Sequence, residues 1–275
     1  MQFFFSFTIE IYIHICYNCF VYSTYYYIFR QRGDLYLNKS QQDTSPLRKK
    51  AVKYMRKMAS VKWTAQHDID FTNLCSSLFY IEGETYHGVI YNTVSSASYE
   101  QFIEHLDDND VFIGPTDQPY CPGNQCVSSI AFAWKSIGAD VSFTFNANML
   151  PQSNTGVVAV GDYLWDKNDK TTTQMIEKTP SNVLYDSYSK VIEGDALISC
   201  LGKTGHARMV TDVHTVFLEN GSIDASDSYV QTIEQTSLFD NTVKHKTTWY
   251  VDRKYSFEDL QKTGYVPVSI PLFFE

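Results

Sequence analysis

Gly123-Asn124-Gln125-Cys126-Val127-Ser128-Ser129-Ile130-Ala131-Phe132-Ala133-Trp134-Lys135-Ser136-Ile137-Gly138 is the stretch that decides how the chain reads. Val127, Ile130, Ala131, Trp134 and Ile137 recur at the three- and four-residue spacing of one helical face. Gly138 stands where a helix accepts a left-handed residue after its last turn, and Pro122-Gly123 ends whatever precedes it. Cys126 therefore opens the first turn of a mostly buried helix. The unpaired N–H groups and positive end of a helix favour a thiolate at that position. A small apolar residue that packs the helix is the plainer role for the same cysteine. The balance depends on whether the rest of the chain supplies a base.

Working outward, the 275-residue chain is long enough for a sizeable core, and its 44% hydrophobic and 19% charged residues describe an ordinary folded protein. A net charge of −9 argues against general nucleic-acid binding, which wants a basic stripe. The six cysteines are sparse and irregularly spaced, so they do not form a disulfide framework. Cys16-x-x-Cys19 has no second pair to complete a zinc site. A Cys121–Cys126 bridge would consume the one cysteine with a helix-start setting.

Residues 1–29 are dominated by Phe, Tyr and Ile, carry no Lys or Arg, and are followed by Arg30 and Arg32. Three readings stay open: a membrane anchor with its basic side cytoplasmic, an extension upstream of the true start, and a signal peptide. Residues 30–59 read as a polar linker containing Pro46 and Arg48-Lys49-Lys50, with the globular part spanning residues 60–275. Asn38-Lys39-Ser40 and Asn220-Gly221-Ser222 match the glycosylation pattern.

Within the globular part, Ser98 to Leu106 reads as a short capped helix. Asp107 to Asp110 reads as a surface turn without the spaced ligands of a calcium loop. Residues 139–180 look irregular and long enough to line a site. A helix follows Pro180, and the last third alternates strands and turns. Its strands are Asp195–Cys200, His206–Leu218, Ser228–Thr236, Thr247–Val251 and Tyr265–Ile270.

A thiol nucleophile needs a base within reach and a third polar group that orients the base. His206 follows Gly205 at the start of a strand, and Glu234 and Gln235 lie on the next strand. His67, His87, His105, His214 and His245 lack an equivalent setting, and His214 stands too far along the same strand to serve one site with His206.

The cysteine helix, the Glu193-Gly194-Asp195-Ala196-Leu197-Ile198 segment and the Gly205-His206-Ala207-Arg208-Met209-Val210 segment together resemble the NlpC/P60 cell-wall peptidases. Gln125 stands where that family usually has Asp, and Val127 where it usually has Ser. The resemblance spans roughly residues 60–240. It implies an α+β, papain-like fold with the catalytic helix packed on an antiparallel sheet. It also implies a cysteine peptidase that hydrolyses peptide bonds in peptidoglycan stem peptides, with no metal or cofactor. Cys126 would be the nucleophile, His206 the base and Gln235, favoured over Glu234, the orienting residue; Tyr91 would line the substrate site. Such a protein would be secreted or membrane-anchored, with membrane contact only if residues 1–29 form an anchor. An amidase or acyltransferase of the same fold, and a non-catalytic wall-binding module, remain alternatives.

Overall fold

The computed structural model describes residues 45–142, 145–153 and 155–275. The aromatic segment 1–29, Cys16, Cys19 and the Asn38 triplet lie outside the described residues. The protein is mixed α+β. Its first described element, α1 (Ser45–Ser60), corrects the expectation of a linker up to residue 59. Polar Arg48-Lys49-Lys50 opens the helix, but Ala51, Val52, Met55, Met58 and Ala59 form a buried stripe along it. Arg48 is itself buried, with Nη1 2.7 Å from the Asp195 carboxylate, which also accepts from Ser269 Oγ at 2.5 Å. Burial pushes the Asp195 carboxyl pKa up against the pull of Arg48. Removing either partner would strand a charge in the core.

A small sheet orders β1 (Lys62–Ala65), β4 (Thr85–His87), β5 (Val111–Phe112) and β10 (Lys246–Thr247) as β10-β4-β1-β5. It carries an aromatic cluster in which Trp63 meets Tyr80, Tyr86, Phe102 and Phe112 at centroid separations of 5.1–6.0 Å. β2 (Ile69–Asp70) and β3 (Phe79–Tyr80) pair beside it. The expected capped helix is present as α2 (Tyr99–Ile103), with Ser98 and Gln101 forming a capping box.

The larger sheet has six strands with antiparallel neighbours in the order β11-β9-β8-β7-β12-β6. These are β6 (Val158–Ala159), β7 (Ala196–Cys200), β8 (Gly205–His214), β9 (Tyr229–Gln235), β11 (Trp249–Ser256) and β12 (Tyr265–Ser269). β7 and β12 are buried along their whole lengths, so both faces are covered there. The cysteine helix α3 (Cys126–Lys135) packs across β8 and β9 and against α1. Helices α4 (Thr172–Lys178), α5 (Ser181–Ser189) and α6 (Phe257–Lys262) pack against β12. α4 lies inside the segment expected to be irregular; Thr171 and Gln174 cap it reciprocally.

β11 carries a bulge between Val251 and Arg253, with Asp252 at φ 56°. Before the bulge Tyr250 faces Glu234; after it Tyr255 faces Val230. The extra residue reverses the alternation and brings Tyr255 to the same face of the sheet as Glu234. α1 holds this bulge through Arg56, whose Nη1 and Nη2 lie 2.9 and 2.5 Å from the two Asp252 oxygens.

Candidate active site

α3 begins as its sequence demands. Gln125 is extended, its N–H donates to Ser128 Oγ at 3.0 Å, and its carbonyl accepts from Ser129 Oγ at 2.8 Å. The helix ends on Gly138 at φ 94°, where Gly138 N–H donates to Lys135 O and Ala139 N–H to Trp134 O, the paired bonds of a left-handed stop. Trp134 is fully buried and donates Nε1–H to Gly194 O at 2.9 Å, so the far end of the helix is fixed to the turn before β7. The loop before Cys126 is held as firmly. Asn124 exchanges backbone hydrogen bonds of 2.8 Å with Ile90 and Asn92, and buried Asn92 donates Nδ2–H to the Gln118 and Cys121 carbonyls. Cys126 is thus placed by rigid backbone on both sides, 5% exposed.

His206 enters from β8 beside Gly205. A side chain on Gly205 would collide with Ser199 O and come 2.5 Å from Asn146 Nδ2, so close packing of strand and loop depends on this glycine. His206 Nε2 hydrogen-bonds Glu234 Oε2, which leaves Nδ1 for the Cys126 thiol. Burial opposes a charge on the ring. The neighbouring Cys126 and the Glu234 carboxylate outweigh it, and the His206 pKa is raised to about 9. The side chain of His206 is 22% exposed and that of Glu234 1%, so the pair opens to solvent on the histidine side only.

Gln235 is not the orienting group. Met209 pairs with Ile233, so one step along the ladder Arg208 faces Glu234, and Glu234 shares the face that carries His206. Gln235 points to the opposite face. There its Nε2–H donates to Val89 O at 2.7 Å and its Oε1 accepts from Ser129 Oγ at 3.2 Å. It ties β9 to the start of the cysteine helix, while Glu234, not Gln235, meets the His206 ring. Glu234 accepts from His206, from Arg208 Nε at 2.8 Å and from Tyr255 Oη at 2.5 Å. Burial works against its ionisation, but these three donors hold its pKa down at about 2.

Tyr91 lies close enough to Cys126 to feel its charge. Its backbone bridges to Asn124, its N–H donates to Tyr80 Oη at 3.0 Å, and its phenol pKa is raised by burial and then by the neighbouring Cys126 and Cys75. Asn146 was not foreseen. It opens a 3₁₀ turn (Asn146–Met149) within the long segment, and the Cys126 thiol donates to its Oδ1 at 4.0 Å. The length of that segment marked it as site-lining, but no local pattern distinguishes Asn146 from its neighbours. Arg208 is likewise legible only as a strand residue, and Tyr255 falls beyond the strand expected to end at Val251, which in the structure continues to Ser256.

Cys75, Cys121, Cys126 and Cys200 are all free thiols, and burial pushes the Cys121 thiol pKa up to about 12. His214 stacks on Tyr229 at the far end of β8, and His87 packs on His245 in the small-sheet region. Among the described residues, no group of three or more His, Cys, Asp or Glu side chains is arranged to hold a metal ion. Among the described residues, no helix is long and apolar enough to cross a membrane. Compared with known proteins, the chain matches no family model, no curated protein and no solved structure.

Proposed function

We propose that the protein is a cysteine peptidase of the papain-like NlpC/P60 type, acting on peptide bonds in peptidoglycan stem peptides. One observation carries the reading: a cysteine at the start of a buried helix meets a histidine whose far ring nitrogen is held by a buried carboxylate. A packing cysteine would need neither partner. The order of the three along the chain, and a helix laid on an antiparallel sheet, support the resemblance noted in the sequence.

In the proposed reaction His206 takes the Cys126 proton as Sγ attacks the carbonyl carbon. The backbone N–H of Cys126, at the positive end of α3, faces the oxygen on which charge develops. The imidazolium then gives its proton to the departing amine as the C–N bond breaks, leaving a thioester on Sγ. Water hydrolyses the thioester, with His206 again taking a proton. Glu234 holds the ring in one orientation throughout, and Tyr91 lines the substrate side. The test is to incubate the full chain with peptidoglycan fragments beside Cys126→Ala and His206→Ala. New amino termini are expected from the wild type alone. Fragments left whole by the wild type would refute the assigned substrate, and products joined to an added amine would reassign the enzyme as an acyltransferase.

A further inference from the structure

Arg208 stands behind the site, two positions along β8 from His206 and so on the same face. Its guanidinium carbon lies 3.5 Å from the Tyr255 ring centroid and 4.2 Å from that of Tyr265, and its side chain is 13% exposed. Its Nε–H donates to Glu234 Oε2, the same oxygen that hydrogen-bonds His206 Nε2. Two cationic donors therefore share one carboxylate oxygen in a poorly solvated site. That is a poor arrangement for maximal stability of the imidazolium, because the arginine draws off part of the charge that holds the ring proton. It suits a base that must also release its proton.

We propose that Arg208 is a positioning residue that sets the pH range over which the Cys126–His206 pair reacts. This rests on the reading of Cys126 and His206 as nucleophile and base. The charged and titratable groups around the pair are Cys126 from α3, Glu234 from β9, Tyr91 from the loop after β4, Tyr265 from β12, and Tyr255 from β11 with Arg253 near it. Burial raises the pKa values of the three tyrosines, which remain neutral donors at neutral pH. Arg208 is thus the permanent cation closest to the carboxylate. Stacking between two rings keeps its charge beside the carboxylate. Loss of a positive charge this close makes every nearby proton harder to remove, typically by one unit or more of pH.

The experiment follows the rate of Cys126 alkylation by iodoacetamide against pH in the full chain, for wild type, Arg208→Gln, Arg208→Lys and His206→Ala, with the labelled cysteine identified by mass spectrometry. The acid limb of the Arg208→Gln profile is expected about one pH unit above wild type, a tenfold slower reaction at a fixed pH on that limb. Arg208→Lys keeps the charge, and its limb stays near wild type. Should Arg208→Gln fail to fold, the double variant Glu234→Gln/Arg208→Gln leaves no stranded charge and is compared with Glu234→Gln alone; the same upward shift is expected. An Arg208→Gln profile that overlays wild type, while His206→Ala differs from both, overturns the role of Arg208 alone. Identical profiles for wild type and His206→Ala overturn the nucleophile-and-base reading itself.

Discussion

Replacing Glu234 by glutamine keeps the shape of the side chain and removes its charge. Two consequences follow from the geometry. The His206 imidazolium loses a counter-charge in hydrogen-bond contact. Charges about 4 Å apart attract by about 4 kcal/mol at an effective dielectric near 20, and the amide returns part of that as a neutral hydrogen bond. A net loss of about 2 kcal/mol lowers the ring's pKa from about 9 by roughly 1.5 units. The second consequence falls on Arg208, which is left mostly buried without its carboxylate. That costs about 3 kcal/mol, equivalent to about 10 °C in melting temperature for a domain of this size. Gln235→Ala is the control from the adjacent position. It breaks the bonds to Val89 and Ser129 and costs about 2 kcal/mol, but it touches nothing on the histidine face. Titrating the His206 ring nitrogens by NMR, together with thermal melting, separates the two. The expected result is a lowered ring pKa for Glu234→Gln and an unchanged one for Gln235→Ala. A shift caused by Gln235→Ala but not by Glu234→Gln would refute the register on which the site is built.

Arg48→Ala should strand Asp195 in the core and cost about 3–5 kcal/mol, read as a fall in the urea midpoint. A midpoint within error of wild type would return α1 to the status of a linker. Gly205→Ala is expected to displace Asn146 or part the β7–β8 ladder, lowering stability by about 2 kcal/mol and slowing Cys126 labelling; full retention of both would remove the packing requirement at that position. Stability should also depend on pH through the His206–Glu234 pair. Glu234 has its folded pKa lowered to about 2 from 4.5, so its contribution is present above 4.5 and lost as pH falls towards 2. His206 has its folded pKa raised to about 9 from 6.5, so its contribution is present below 6.5 and lost as pH rises through 9. Counted once for the coupled pair, the effect is about 3 kcal/mol, greatest between 4.5 and 6.5. Urea titrations across pH should show that dome in the wild type and a flatter curve in Glu234→Gln; equal curves would contradict the ion pair.

The elements that carry Cys126 and His206 were legible because their signals are local. The apolar spacing from Val127 to Ile137, the Gly138 stop and the Gly205-His206 strand start each need only a few neighbouring residues. The rest depended on contacts between distant segments. A choice between Glu234 and Gln235 turns on a one-residue register, set where Met209 meets Ile233 and invisible to alternation within either strand. Tyr255 reaches Glu234 only because Asp252 bulges, and that bulge is held from α1, 196 positions away in sequence. α1 itself was obscured by its basic opening, although the spacing of Ala51, Val52, Met55, Met58 and Ala59 was present in the sequence. Asn146 reaches the thiol through a segment whose path no periodicity describes.

The claim that Cys126 is a peptidase nucleophile is tested most directly by trapping its intermediate. The full chain is mixed with peptidoglycan stem peptides, quenched in acid during turnover, and the peptide containing Cys126 is weighed by mass spectrometry. The expected result is an added mass equal to the acyl half of the substrate, released by hydroxylamine and absent from Cys126→Ala. Product formation with no adduct on Cys126, and equal product from Cys126→Ala, would contradict it.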